Sequence, residues 1–128
     1  MKILYLSLLA VFIQATTANP IDRIAQLIGK GRVHEYAKMF APTIELTMND
    51  EVNTYSKAQA ELILDRFFTE NKPLSSTIRH KVSASSEYQY GVVVINTGKV
   101  VYRVAFTLKI NDHTSELIEF RIENEMVK

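Results

Sequence analysis

"STIRHKVSA" (76–84), "YQYGVVVI" (88–95), "KVVYRVAFTLKI" (99–110) and "TSELIEFRIE" (114–123) decide the fold. Each run alternates apolar and polar residues at the two-residue period of a half-buried strand. The gaps "SSE", "NTG" and "NDH" each read as a three-residue hairpin loop, and Gly98 suits the left-handed last position of the second. Those loops set a register in which Ala84 pairs with Tyr88, Ile95 with Lys99, and Ile110 with Thr114. The register can be tested, because a slip of one residue turns every side chain to the other face. It produces the rows Ile78–Val94–Val100, His80–Val92–Tyr102–Ile122, Val82–Tyr90–Val104–Phe120 and Ala84–Tyr88–Phe106–Ile118. Nearly every member is apolar or aromatic. A four-stranded antiparallel meander with one helix-covered face follows.

Upstream of the meander the period is helical. Asn19 is a good N-cap and Pro20 falls at the first helical position, where its missing N–H costs nothing. Ile21, Ile24, Ala25 and Ile28 form one face, and the glycines of "GKG" (29–31) end the helix. A second short helix places Val33, Tyr36, Ala37 and Phe40 on one side and stops at Pro42. "TIELTM" (43–48) alternates as a strand, and "NDEVN" (49–53) reads as a turn. Ser56 and Gln59 then make a capping box ahead of Ala60, Ile63, Leu64, Phe67 and Phe68, a helical apolar stripe. Helices first and strands afterwards define an α+β domain.

The N-terminal "MKILYLSLLAVFIQATTANP" has the form of a secretory signal: Lys2, an apolar stretch from Ile3 to Ile13, and the small residues Thr16 and Ala18 before a cleavage point. The expected organisation is a signal peptide over 1–18 and a single domain over 19–128, periplasmic or secreted. The apolar stretch falls short of the roughly 20 residues of a membrane span, so no span is expected after cleavage. Without cysteine there are no disulfides, and the core alone must stabilise the fold. Removing Lys2 leaves basic and acidic residues in balance, which argues against a nucleic-acid surface.

"EYAKMF", "TIEL", "YSKAQAELIL", "IRHK", "YGVV", "YRVAFTLK" and "FRIE" resemble a bacterial family of small exported proteins of unknown function. That family belongs to the nuclear-transport-factor-like, ketosteroid-isomerase-like superfamily. The resemblance covers nearly the whole chain after the leader. It implies a cone-shaped (cystatin-like) fold, with N-terminal helices in the hollow of a curved antiparallel sheet of four main strands and one short strand. A pocket at the open end often accompanies this fold. The resemblance implies no activity, since fold does not fix function.

The candidate pocket residues are His80, Tyr102, Tyr90, Tyr36 and Tyr55, which the expected register and helix faces turn inward. A histidine there offers an acid or base, and pockets combine apolar walls with a few convergent polar groups. A small apolar ligand or a protein partner fits this reading. Its alternatives are an isomerase or hydrolyase using His80 with a tyrosine, and a purely structural interaction module. Ketosteroid-isomerase chemistry needs an inward carboxylate base, yet Glu45 and Asp65 fall on polar faces and helix one lacks a tyrosine. A non-catalytic domain is therefore the leading expectation, with no cofactor. No metal is expected either, because His34, His80 and His113 lack ligand spacing. On the other sheet face the register sets Arg103 opposite Arg121 beside Gly91, with Glu119 and Glu123 on the diagonals. Like charges placed opposite repel, so these four residues are interface candidates for a homodimer.

Overall fold

The computed structural model describes residues 19–112 and 114–125. The expected leader and His113 lie outside them. The elements run α1 (Pro20–Gly29), α2 (Val33–Ala37), β1 (Phe40–Met48), β2 (Glu51–Ser56), α3 (Lys57–Glu70), β3 (Ser75–Ser83), β4 (Tyr88–Asn96), β5 (Val101–Asn111) and β6 (Thr114–Asn124). One six-stranded sheet has the order β2-β1-β6-β5-β4-β3, with β1 parallel to β6 and every other pair antiparallel.

The helices start where their caps direct. Asn19 Oδ1 accepts from the Ile21 N–H at 3.3 Å, and Ile21, Ile24, Ala25 and Ile28 of α1 are buried. The capping box of α3 is complete: the Gln59 N–H donates to Ser56 Oγ at 3.3 Å and the Ser56 N–H to Gln59 Oε1 at 3.2 Å. Ala60, Leu64 and Phe68 then face the core, with Ile63 and Phe67 partly buried against it. Two bonds of this kind, each satisfying an orphan N–H, fix the point at which β2 turns into helix.

The sheet differs from the sequence reading in two respects. It has six strands rather than four main strands and a short one. The segment read as a turn is a type I′ hairpin, with Asn49 and Asp50 at φ 51° and 65°. Its polar second strand, β2, escapes a hydrophobic-period search because it is an edge strand with exposed residues. β1 is also longer than expected. It begins at Phe40, so α2 ends at Ala37 well before Pro42.

The second difference is register. β3 pairs with β4 as expected at His80↔Val92 and Val82↔Tyr90. The "NTG" loop, however, is one of four residues, Thr97 to Val100, closed by the Thr97 N–H to Val100 C=O bond at 3.1 Å. The Thr97 hydroxyl donates to the Val100 C=O at 2.9 Å and accepts from its N–H at 3.1 Å. Gly98, at φ +88°, donates its N–H to Asn96 Oδ1 at 2.8 Å. Val92 consequently meets Ala105 instead of Tyr102. That odd slip turns β4 over relative to β5. Val93 and Ile95 enter the core, while Tyr88, Tyr90 and Val92 stand on the outer face with His80 and Val82. Between β5 and β6 the slip is even, with Val104 opposite Ile122 and a bulge between Thr107 and Leu108. Val104, Phe106, Phe120 and Ile122 therefore keep the expected inward face.

Candidate functional site

The hollow between helices and sheet is filled by side chains. Tyr36 lies at its centre, fully buried, stacked on Phe120 with centroids 5.7 Å apart at 12° and tilted against Phe40 at 6.0 Å. Phe106 fills the space beside Gly91. A Cβ at position 91 would come within 3.0 Å of three Phe106 ring atoms. Gly91 therefore lies opposite Phe106, and Arg103, expected beside it, lies opposite Val94. Among the described residues a cleft of about 110 Å³ opens at the mouth of the hollow, lined by Leu46, Met48, Glu51, Asn53 and Tyr55. Pockets for drug-sized ligands span roughly 300–1,000 Å³, so this cleft admits only a side chain or a few waters. Depressions of 320–390 Å³ lie elsewhere on the surface and are open. One, between the ends of α1 and α3, is lined by Lys30, Asp65 and Lys72. Another is at the hairpin tips, by Glu87 and Asp112.

The five pocket candidates do not converge. Tyr36 is core, and its hydroxyl has no hydrogen-bond partner among the described residues. Burial pushes the phenol pKa well above its ordinary value, and the Asp65 charge adds to the rise. Tyr102 is half-buried, donates to Asn71 Oδ1 at 3.2 Å and meets the Phe67 ring edge-on at 5.0 Å. Tyr55 lines the mouth cleft. His80 and Tyr90, expected inward, are on the outer face, because the extra loop residue at Thr97–Val100 reverses β3 and β4 relative to β5. His80 and Tyr102 thus lie on opposite faces of the sheet, and the pair an isomerase would need is not assembled. The residues that sequence reasoning missed are Glu51 and Asn53. Their signal was the alternation of Glu51, Asn53 and Tyr55 beyond the turn-forming Asn49–Asp50.

No residue of the outer face belongs to the hydrophobic cluster that the helices share with the sheet. One row across it reads Val52–Thr47–Arg121–Ala105–Val92–His80, and its neighbour Thr54–Glu45–Glu119–Thr107–Tyr90–Val82. Arg103 stands opposite Glu123, not Arg121, because the β5–β6 register is two residues further along than the loop implied. Arg121 pairs with Glu123 at 3.5 Å, so that arginine finds its carboxylate within the chain. Arg79 and Glu125 form a further ion pair. At the β3–β4 end the face is apolar and open: Val82 is 47% exposed, Tyr88 38% and Tyr90 37%.

The model of the "domain of unknown function (DUF4783)" family matches residues 21–123. The chain belongs to that family. A DUF4783 family protein from Bacteroides uniformis ATCC 8492 superposes with a TM-score of 0.78 at 17% identity, covering 85% of this chain and 100% of that one. Its counterpart from Bacteroides ovatus ATCC 8483 gives 0.76 at 19% identity, over 81% and 94%. An NTF-2-like protein of unknown function from Silicibacter pomeroyi DSS-3 gives 0.56 at 9% identity, over 82% and 89%. At these identities the likeness concerns the fold, which is nuclear-transport-factor-2-like, with helices packed on a curved sheet. No curated protein matches the chain. No helix among the described residues is long and apolar enough to cross a membrane.

Proposed function

We propose that this DUF4783 chain is an exported, non-catalytic binding domain that pairs with a second copy of itself through the outer face of its sheet. One observation carries the reading: the hollow is packed with side chains, while on the opposite face Val82, Tyr88 and Tyr90 stay exposed and no described helix joins them in the core. The energy available for association lies there. Val82, Tyr88 and Tyr90 offer exposed apolar area of the tyrosine-rich kind that dominates interface energetics. Around them Arg103, Arg121, Glu119 and Glu123 form a mixed-sign lattice, and such a lattice can meet its own copy across a two-fold axis without net repulsion. The leader with its small-residue cleavage point supports export.

The test is sedimentation velocity on wild type and on Tyr90→Glu, from low to high micromolar concentration. A dimer whose dissociation constant rises at least tenfold in the variant is expected, as for the loss of a tyrosine anchor worth about 2 kcal/mol. A wild type that stays monomeric at high micromolar concentration refutes the pairing. N-terminal sequencing of the protein recovered from its source should begin at Asn19, and an intact Met1 would reject export by cleavage.

A further inference from the structure

We propose that the free edge of β2 is a strand-addition site for an extended partner segment carrying a lysine or arginine. This rests on the reading of the chain as a binding domain, and not on its pairing with a second copy. In a two-residue type I′ hairpin the flanking pair, here Met48↔Glu51, exchanges both ladder bonds. Glu51, Asn53 and Tyr55 therefore bond to β1, and Val52, Thr54 and Ser56 point their backbone groups the other way. The capping box agrees, because the Ser56 N–H, which faces away from β1, is the one held by Gln59 Oε1. Val52 and Thr54 remain, each with an N–H and a C=O on the edge and no other backbone partner among the described residues. Val52 is 55% exposed.

The two edges of the sheet are not alike. β3 carries a bulge between Ile78 and His80 and the basic run Arg79–His80–Lys81, devices that discourage pairing. β2 has no bulge, proline or internal lysine. Beside this undefended edge, on the inner face, lies the mouth cleft of about 110 Å³. A strand added to β2 would place alternate side chains next to Glu51, Asn53 and Tyr55, as strand addition does when backbone bonds supply affinity and pockets supply selectivity. Leu46, Met48 and Tyr55 form an apolar wall for an aliphatic stem. Glu51 makes no salt bridge among the described residues, and its carboxylate favours a cationic tip. A second copy pairing β2 with β2 around Asn53 would leave that carboxylate opposite Tyr55, so a basic peptide fits the site better.

The probe is acetyl-Thr-Val-Lys-Val-Thr-amide, titrated into isotope-labelled protein and followed by amide shifts and hydrogen exchange. Saturating peptide should slow exchange at Val52 and Thr54 at least fivefold. The same peptide with glutamate at its centre should bind at least tenfold more weakly, and Glu51→Gln should remove that preference. Thr54→Pro deletes an outward donor that β1 does not use and should abolish binding. If Thr54→Pro fails to fold, the Glu51→Gln comparison decides alone. Equal affinity for the two peptides, or unchanged binding by folded Thr54→Pro, overturns the proposal. So does protection of Val52 and Thr54 without peptide that grows with protein concentration, which would make a second copy the occupant. Repeating the titration on Tyr90→Glu separates the two readings, since peptide binding should persist whether or not that protein dimerises.

Discussion

Replacing Tyr36 by phenylalanine should stabilise this protein, although the residue is completely buried at the centre of the core. The ring stacks on Phe120 at 5.7 Å and packs against Phe40, and phenylalanine keeps both contacts. What it removes is a hydroxyl with no hydrogen-bond partner among the described residues. An unsatisfied buried polar group costs about 1–3 kcal/mol of desolvation. Taking the lower end to allow for the small void left by the oxygen, the gain is about 1 kcal/mol, or roughly 4–8 °C in Tm for a domain of this size. Urea unfolding should show a higher midpoint with an unchanged slope. The pH dependence gives a second readout. Burial first, and the Asp65 charge second, hold the folded pKa of Tyr36 above the unfolded one. Its contribution is therefore fully present below about pH 10, where both states keep the proton. It is lost as pH rises towards the folded value, at up to about 1.4 kcal/mol per unit, because the unfolded chain ionises first. The phenylalanine variant should lack that alkaline slope. A loss of about 1 kcal/mol on substitution would show that the hydroxyl is hydrogen-bonded after all and would refute this reasoning.

Ser56→Ala breaks the capping box of α3 and should cost about 1 kcal/mol, read as a lower denaturant midpoint. Gly91→Ala would drive a methyl group into the Phe106 ring and should cost about 1–3 kcal/mol by overpacking, checked by the same unfolding curves. An unchanged midpoint would mean that Phe106 is free to move aside. Tyr90→Glu should weaken self-association, and Thr54→Pro should remove peptide binding while leaving the melting temperature near that of wild type.

The parts of the fold legible in the sequence were those fixed by local chemistry. The N-cap at Asn19, the Ser56–Gln59 box and the "SSE" hairpin all rest on residues within a few positions of one another, and each forms where expected. The register of β4 against β5 was not legible, because it depends on whether the loop spans three residues or four. Thr97 decides that by bonding both backbone groups of Val100, a preference that the glycine at 98 does not reveal. Since Tyr88, Tyr90, Val92 and Val94 alternate with Gly91, Val93 and Ile95, both faces of β4 are apolar and the hydrophobic pattern could not correct the error. The same ambiguity placed His80 inside. β2 was missed for the opposite reason: an edge strand with little to bury carries no apolar period, and with it went Glu51 and Asn53.

Native mass spectrometry of the protein isolated from its own source without denaturation tests the central claim most directly. That claim is that the chain acts through its surfaces and not through an internal cavity. With the hollow filled by Tyr36, Phe106 and Phe120, the expected species is a dimer whose mass equals two polypeptides with no small molecule retained. A monomer carrying one bound apolar compound would contradict the account.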